Sequence, residues 1–128
     1  MNNLIIYIEV YKERPFNFGN VVLTHLQKNK STTPLLDLDN FSSPDLFNHS
    51  IDACKKHAHI KLIINQKEKP TSSILLINFI NKLLRIKKIK IDSYLLGDSE
   101  VLEKMLRKTN KLTICDEDEF IQKISLTK

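Results

Sequence analysis

Only two glycines occur in the 128 residues, Gly19 and Gly97. That scarcity excludes the glycine-rich cradles that hold phosphates. A dinucleotide fingerprint and a nucleotide-binding P-loop each need several glycines within a short span. Tryptophan is absent and proline appears four times, so little material exists for low-complexity linkers. The two cysteines, Cys54 and Cys115, stand far apart and in no paired motif. A disulfide framework is therefore not expected, and free thiols in a reducing compartment are. Long apolar runs are missing too. A membrane span needs about 20 apolar residues, and the richest stretch, residues 74–86, is broken by Asn78, Asn81, Lys82 and Arg85. The opening MNNLIIYIEVYKER lacks the basic start of a secretory signal, and Glu9 cuts its apolar run short. These absences predict a cytoplasmic protein without membrane contact.

What is present is a globular mix, 41% hydrophobic and 27% charged, with a formal net charge of +5. That length and composition suit one domain over residues 1–128 with a real core. The modest positive charge admits anionic partners and says nothing about fold.

Strand-like and helix-like segments alternate along the whole chain. Apolar, β-branched runs at 4–10, 34–38, 60–65, 89–96 and 112–115 read as strands. Helical spacing of apolar residues follows each, at 18–28, 42–57, 70–87, 98–108 and 116–126. Start signals mark several helices. Ser42 and Asp45 have capping-box spacing with Pro44 in the first turn, and Asp98 or Ser99 precedes the fourth helix. No hairpin signal interrupts the alternation. About five β-then-α units predict a parallel sheet covered on both faces. The expected architecture is an α/β three-layer sandwich, flavodoxin-like, with strand order 2-1-3-4-5.

The stretch LTICDEDEF, residues 112–120, ends a predicted strand in four consecutive acids. An acidic metal site is one reading. On the expected strand order, the fifth strand lies about 14 Å from the first. Asp116 then lies too far from Glu9 to share one metal ion. A helix start accounts for the run more simply: Asp116 and Glu119 have capping-box spacing, and acids in a first turn complement the helix dipole.

Tests for known chemistry on this architecture fail. Phosphoryl acceptance in receiver domains needs an acidic pair after the first strand and an aspartate ending the third. Here those places hold Glu9-Val10-Tyr11 and Asn65. A flavin phosphate cradle needs serines or threonines after the first strand, and YKERPFNFGN has none. His57-Ala58-His59 has no cysteine or carboxylate beside it to complete a metal set. Cys115 precedes a helix start, which lowers a thiol pKa; a small buried residue ending a strand is the plainer reading. No catalytic set, metal or cofactor is expected.

Two surfaces remain. In this fold ligands bind beyond the carboxyl ends of the strands, where strand order reverses. Tyr11, Lys12 and Arg14 follow the first strand, and Lys67 and Lys69 follow the third. Together they form a candidate site for a phosphorylated or nucleotide ligand; otherwise the first loop is solvated, with Phe16 and Phe18 packed on the first helix. The second surface is the third helix. Its apolar residues cover an arc of roughly 200°, more than the roughly 100° stripe one sheet face requires. The surplus centres on Leu75, Phe79 and Ile86, to be covered by neighbouring helices or by another chain. Lysines also gather at predicted helix ends, opposite acids at helix starts, which makes one end of the molecule basic.

The preferred functional reading is a non-catalytic protein-interaction or regulatory module with self-association through the third helix. The alternative is a binder, or an enzyme, of a small anionic ligand at the strand 1/strand 3 crevice. A third is weak nucleic-acid binding at the basic end, without the interleaved aromatics that stack bases.

Overall fold

The computed structural model describes residues 3–13, 21–29, 33–70 and 72–126. Its elements run β1 (Asn3–Val10), α1 (Val21–Asn29), β2 (Leu35–Asp39), α2 (Pro44–Cys54), β3 (His59–Gln66), α3 (Ile74–Leu84), β4 (Lys90–Leu96), α4 (Glu100–Leu106), β5 (Lys111–Cys115) and α5 (Glu117–Leu126). The strands form one parallel sheet in the order β2-β1-β3-β4-β5. This is the flavodoxin-like order that the β-then-α alternation predicts.

The central strands are apolar on both faces because helices cover both. Leu4, Ile6, Ile8 and Val10 of β1 join Ile60, Leu62 and Ile64 of β3 under α2, α3 and α4. Ile5 and Tyr7 of β1, with Ile63 of β3, face α1 and α5 instead. A strand buried on both sides has no polar alternation, which explains the unbroken runs in the sequence. Each fully buried Leu or Ile stabilises the fold by about 1.5–3 kcal/mol relative to exposure.

Helix boundaries differ from expectation for local reasons. Ser43, not Ser42, caps α2: its hydroxyl accepts from the Leu46 amide at 3.2 Å. The Ser42 hydroxyl instead accepts from the Asp39 amide at 3.0 Å, closing the turn after β2. The third helix is shorter than residues 70–87. It starts at Ile74 and ends at Leu84, and Lys88 then takes a left-handed φ of 68° to turn the chain into β4. Ser99 caps α4 through the Leu102 amide. Just before it, Gly97 has φ 109°, and a Cβ there would lie 2.7 Å from the Gln66 carbonyl oxygen. The Asp116–Glu119 box forms as the spacing predicts. The Glu119 amide donates to Asp116 at 2.8 Å, and the Asp116 amide donates back to Glu119 at 3.1 Å. Among the described residues no helix is long and apolar enough to cross a membrane.

Candidate functional site

Strand order reverses between β1 and β3, so the crevice at their carboxyl ends is the first place to look. Tyr7 and Glu9 share one face of β1 because side chains alternate along a strand. In register beside them lie Asp37 and Asp39 of β2 on one side and Ile63 and Asn65 of β3 on the other. A continuous hydrogen-bond network results. The Tyr7 hydroxyl donates to Glu9 Oε2 at 2.8 Å, and the Tyr11 hydroxyl donates to Glu9 Oε1. Asn65 Nδ2 donates to the Tyr7 hydroxyl at 2.9 Å and to Glu117 Oε2 at 3.0 Å. Lys67 Nζ closes the chain on the same Glu117 oxygen at 2.9 Å.

The backbone around the network is pinned as well. The Asn40 side chain accepts from the Tyr11 amide at 2.9 Å and donates to the Tyr11 carbonyl at 2.8 Å. The Lys67 and Glu68 amides both donate to the Val10 carbonyl, at 3.0 and 3.1 Å. Among the described residues, no buried side-chain nitrogen or oxygen lacks a partner.

The electrostatics follow from burial and from the crowd of acids. Burial, the neighbouring Glu9 charge and the Glu9 hydrogen bond push the Tyr7 hydroxyl far above the ordinary tyrosine value. Burial and the Glu9 hydrogen bond do the same to Tyr11. Burial, followed by the Glu9 and Asp39 charges, raises the Asp37 carboxyl. Glu117 goes the other way. Its burial acts to raise it, but the hydrogen bonds from Lys67 and Asn65 and the Lys67 charge outweigh this and hold it below the usual carboxylate range.

The four described residues of the anion-site reading, Tyr11, Lys12, Lys67 and Lys69, do not converge. The Tyr11 hydroxyl and the Lys67 ammonium are both engaged by carboxylates. Lys12 is exposed, its amide bound to Glu68 at 3.1 Å. Lys69 lines a separate cleft of about 520 Å³ between the starts of α3 and α4. Arg14, Phe16 and Phe18 lie outside the described residues. An anion entering here would meet Glu9, Asp37, Asp39 and Glu117.

The other sequence candidates disperse in the same way. His57 Nδ1 pairs with the Ala53 carbonyl at 2.8 Å, while His59 Nε2 pairs with Asp92 at 3.0 Å. Among the described residues no group of three His, Cys, Asp or Glu side chains is arranged to hold a metal ion. Cys115 is buried, and burial raises its thiol despite Lys123, with Glu119 and Asp116 adding to the rise. Cys54 is pushed up to about 12 by burial alone. Neither is an activated nucleophile.

Of the interface residues, Phe79 is only 2% exposed, and its ring packs on Phe47 of α2 with centroids 5.1 Å apart. Ile86 is half-buried against the same core. A neighbouring helix therefore covers most of the apolar surplus, and Phe79 is a core residue. Leu75 is different, 39% exposed at the lip of a groove between α2 and α3. It has company that sequence periodicity missed. Leu46 lies in the first turn of α2, Ile74 in that of α3 and Val101 in that of α4. They are 42%, 67% and 55% exposed. All four lie in one helix layer and at one end of it. Apolar first-turn residues set off the sheet-facing stripe were the available signal.

The same layer carries opposite charges at its two ends. At the starts of α2 and α4, residues 39–46 and 96–103 contain Asp39, Asp45, Asp98, Glu100 and Glu103 and no lysine or arginine, whereas the approach to α3, residues 65–73, carries Lys67, Glu68 and Lys69. At the far end, residues 53–60, 85–92 and 104–111 hold exposed Lys55, Lys56, Lys87, Lys88, Lys108 and Lys111. The one carboxylate in those three segments, Asp92, is paired with His59.

No family model matches the chain, and no curated protein matches it. Among solved structures the chain is similar to the crystal structure of the RPS4 and RRS1 TIR domain heterodimer. The TM-score is 0.55 at 14% identity, over 97% of this chain and 97% of that one. At that identity the similarity carries the fold alone: the flavodoxin-like layering is shared along essentially the whole length.

Proposed function

We propose that this chain is a non-catalytic protein-interaction domain that meets its partner at the first turns of α2, α3 and α4. One observation carries the reading. Leu46, Ile74, Leu75 and Val101 stand exposed in neighbouring first turns of one helix layer, beside the α2/α3 groove and the α3/α4 cleft. Single exposed apolar residues are ordinary on a protein surface, but a row of them beside grooves marks a binding surface. In the crevice Tyr7, Tyr11, Glu9, Asn65, Lys67 and Glu117 are bound to one another, which favours the helix starts as the docking surface. The similar TIR domains form a heterodimer, so that protein uses this architecture to assemble.

The test is capture on the immobilised chain, together with its mass in solution, for wild type and for Ile74→Asp/Val101→Asp. Aspartate in a first turn complements the helix dipole, so both helices remain intact. Binding of any protein, a second copy included, is expected to fall at least tenfold in the double variant. Equal binding by both proteins would remove the proposal.

A further inference from the structure

Building on the proposed interaction surface, we infer that its partner is a second copy of this chain, docked head to tail. The acidic starts of α2 and α4, with the apolar start of α3 between them, then receive the lysine-rich ends of the same helices in the next molecule. The argument begins with distance. The α2 and α3 helices have 11 residues each, so their ends lie about 16 Å apart at 1.5 Å per residue. That exceeds the screening length of about 10 Å at 0.1 M salt. The two ends of one molecule therefore do not neutralise each other and present separate fields of opposite sign.

The ends also match in chemistry. A lysine lays its aliphatic stem on apolar surface while its ammonium reaches an acid. Lys55, Lys56, Lys87 and Lys108 of one copy suit a surface where Leu46, Leu75 and Val101 are rimmed by Asp45, Asp98 and Glu100. Helix dipoles alone favour acids at starts and bases at ends, but their effect fades beyond the terminal turn. Lys87, Lys88 and Lys111 lie past the last helical residues, Leu84 and Leu106. Lys88 even holds a left-handed φ of 68°, the conformation that favours glycine. Joining one end to the opposite end is a heterologous contact, so the assembly continues as a filament or closes as a ring.

Light scattering during size-exclusion chromatography tests this with a concentration series at about 0.05 M and about 0.5 M salt. Wild type is expected to grow in mass with concentration at low salt, beyond a dimer, and to return to monomer at high salt. Two variants separate the ends. One carries Lys55→Glu, Lys56→Glu and Lys108→Glu; the other carries Asp45→Asn, Asp98→Asn and Glu100→Gln. Thermal melts confirm that both fold. Each alone is expected to stay monomeric, and their mixture to give a one-to-one pair that grows no further.

A dimer formed by either variant alone would overturn the head-to-tail geometry and leave the interaction surface standing. A monomeric wild type whose lysines bind duplex DNA in a steeply salt-dependent way would overturn it in favour of a polyanion. A wild type that stays monomeric throughout and captures no protein would remove both proposals.

Discussion

Asn65 holds Glu117: its side-chain amide donates to Glu117 Oε2 at 3.0 Å and fastens the carboxyl end of β3 to the first turn of α5. The acidic run is thus two things at once. Asp116 and Glu119 cap the helix, while Glu117 reaches back across the sheet to Asn65 and Lys67. Through Asn65 and the Tyr7 hydroxyl the link continues to Glu9.

Glu117 makes stability depend on pH in a definite direction. Its folded-state value is held below the ordinary one, so the folded state binds its proton later than the unfolded state. The stabilisation is present above the unfolded value and is lost as pH falls through the folded value. Glu117→Gln is expected to lower stability by up to about 1 kcal/mol at neutral pH, a figure limited by solvent screening of a half-exposed pair. Chemical denaturation of both proteins should converge only as pH falls below the folded-state value, which lies under the ordinary glutamate range. A gap that stays constant with pH would show that the charge is not responsible.

The tyrosines reverse the sign. All three, Tyr7, Tyr11 and Tyr94, have hydroxyls raised above the ordinary tyrosine value, each first by burial. Their contribution is complete below the unfolded value of about 10 and is lost as pH rises beyond it. Absorbance titration of the folded protein is expected to show almost no tyrosinate at pH 10, with its appearance accompanying unfolding. Tyr7→Phe leaves buried Glu9 and Asn65 each one partner short, at a cost of about 1–3 kcal/mol. An early, reversible titration of Tyr7 in the folded state would contradict the network.

Much of this architecture was legible because the physics is local. Short apolar, β-branched runs and stripes at a period of 3.6 are written in the chain, and unbroken runs at residues 4–10 and 60–65 signal strands buried on both faces. Right-handed crossovers then leave the observed strand order among few. The acidity of the crevice was not legible, since it depends on the register that sets Asp37 and Asp39 beside Tyr7 and Glu9. Sequence spacing favours Ser42 as the cap because Asp45 stands three residues on, but the turn at Asp39 takes the Ser42 hydroxyl and leaves Ser43 to cap. The third helix was over-extended since residues 70–73 and 85–87 carry no strong breaker after Pro70.

Phe79 and Leu75, four residues apart on α3, should behave oppositely. Phe79→Ala empties a core site against Phe47 and is expected to cost about 3–5 kcal/mol in urea unfolding. Leu75→Ala removes a side chain already 39% exposed and is expected to cost under about 1.5 kcal/mol while weakening partner binding. Equal losses of stability would mean that the α2/α3 groove is closed over Leu75 in solution.

The two left-handed positions give the last contrast. Gly97 has φ 109°, and any side chain there drives a Cβ to within 2.7 Å of the Gln66 carbonyl. Gln66 in turn donates through its side chain to the Asp98 carbonyl at 2.6 Å, so the two loops cannot part freely. Gly97→Ala is expected to destabilise by about 1–3 kcal/mol. At Lys88 the same φ sign is borne by a residue with a Cβ, exposed and at the surface. Lys88→Gly relieves that conformation and is expected to raise stability by about 0.5–1 kcal/mol, net of the backbone entropy glycine brings. Thermal melts of both variants decide the matter. A destabilised Lys88→Gly would show that the lysine side chain contributes more within the fold than its backbone costs.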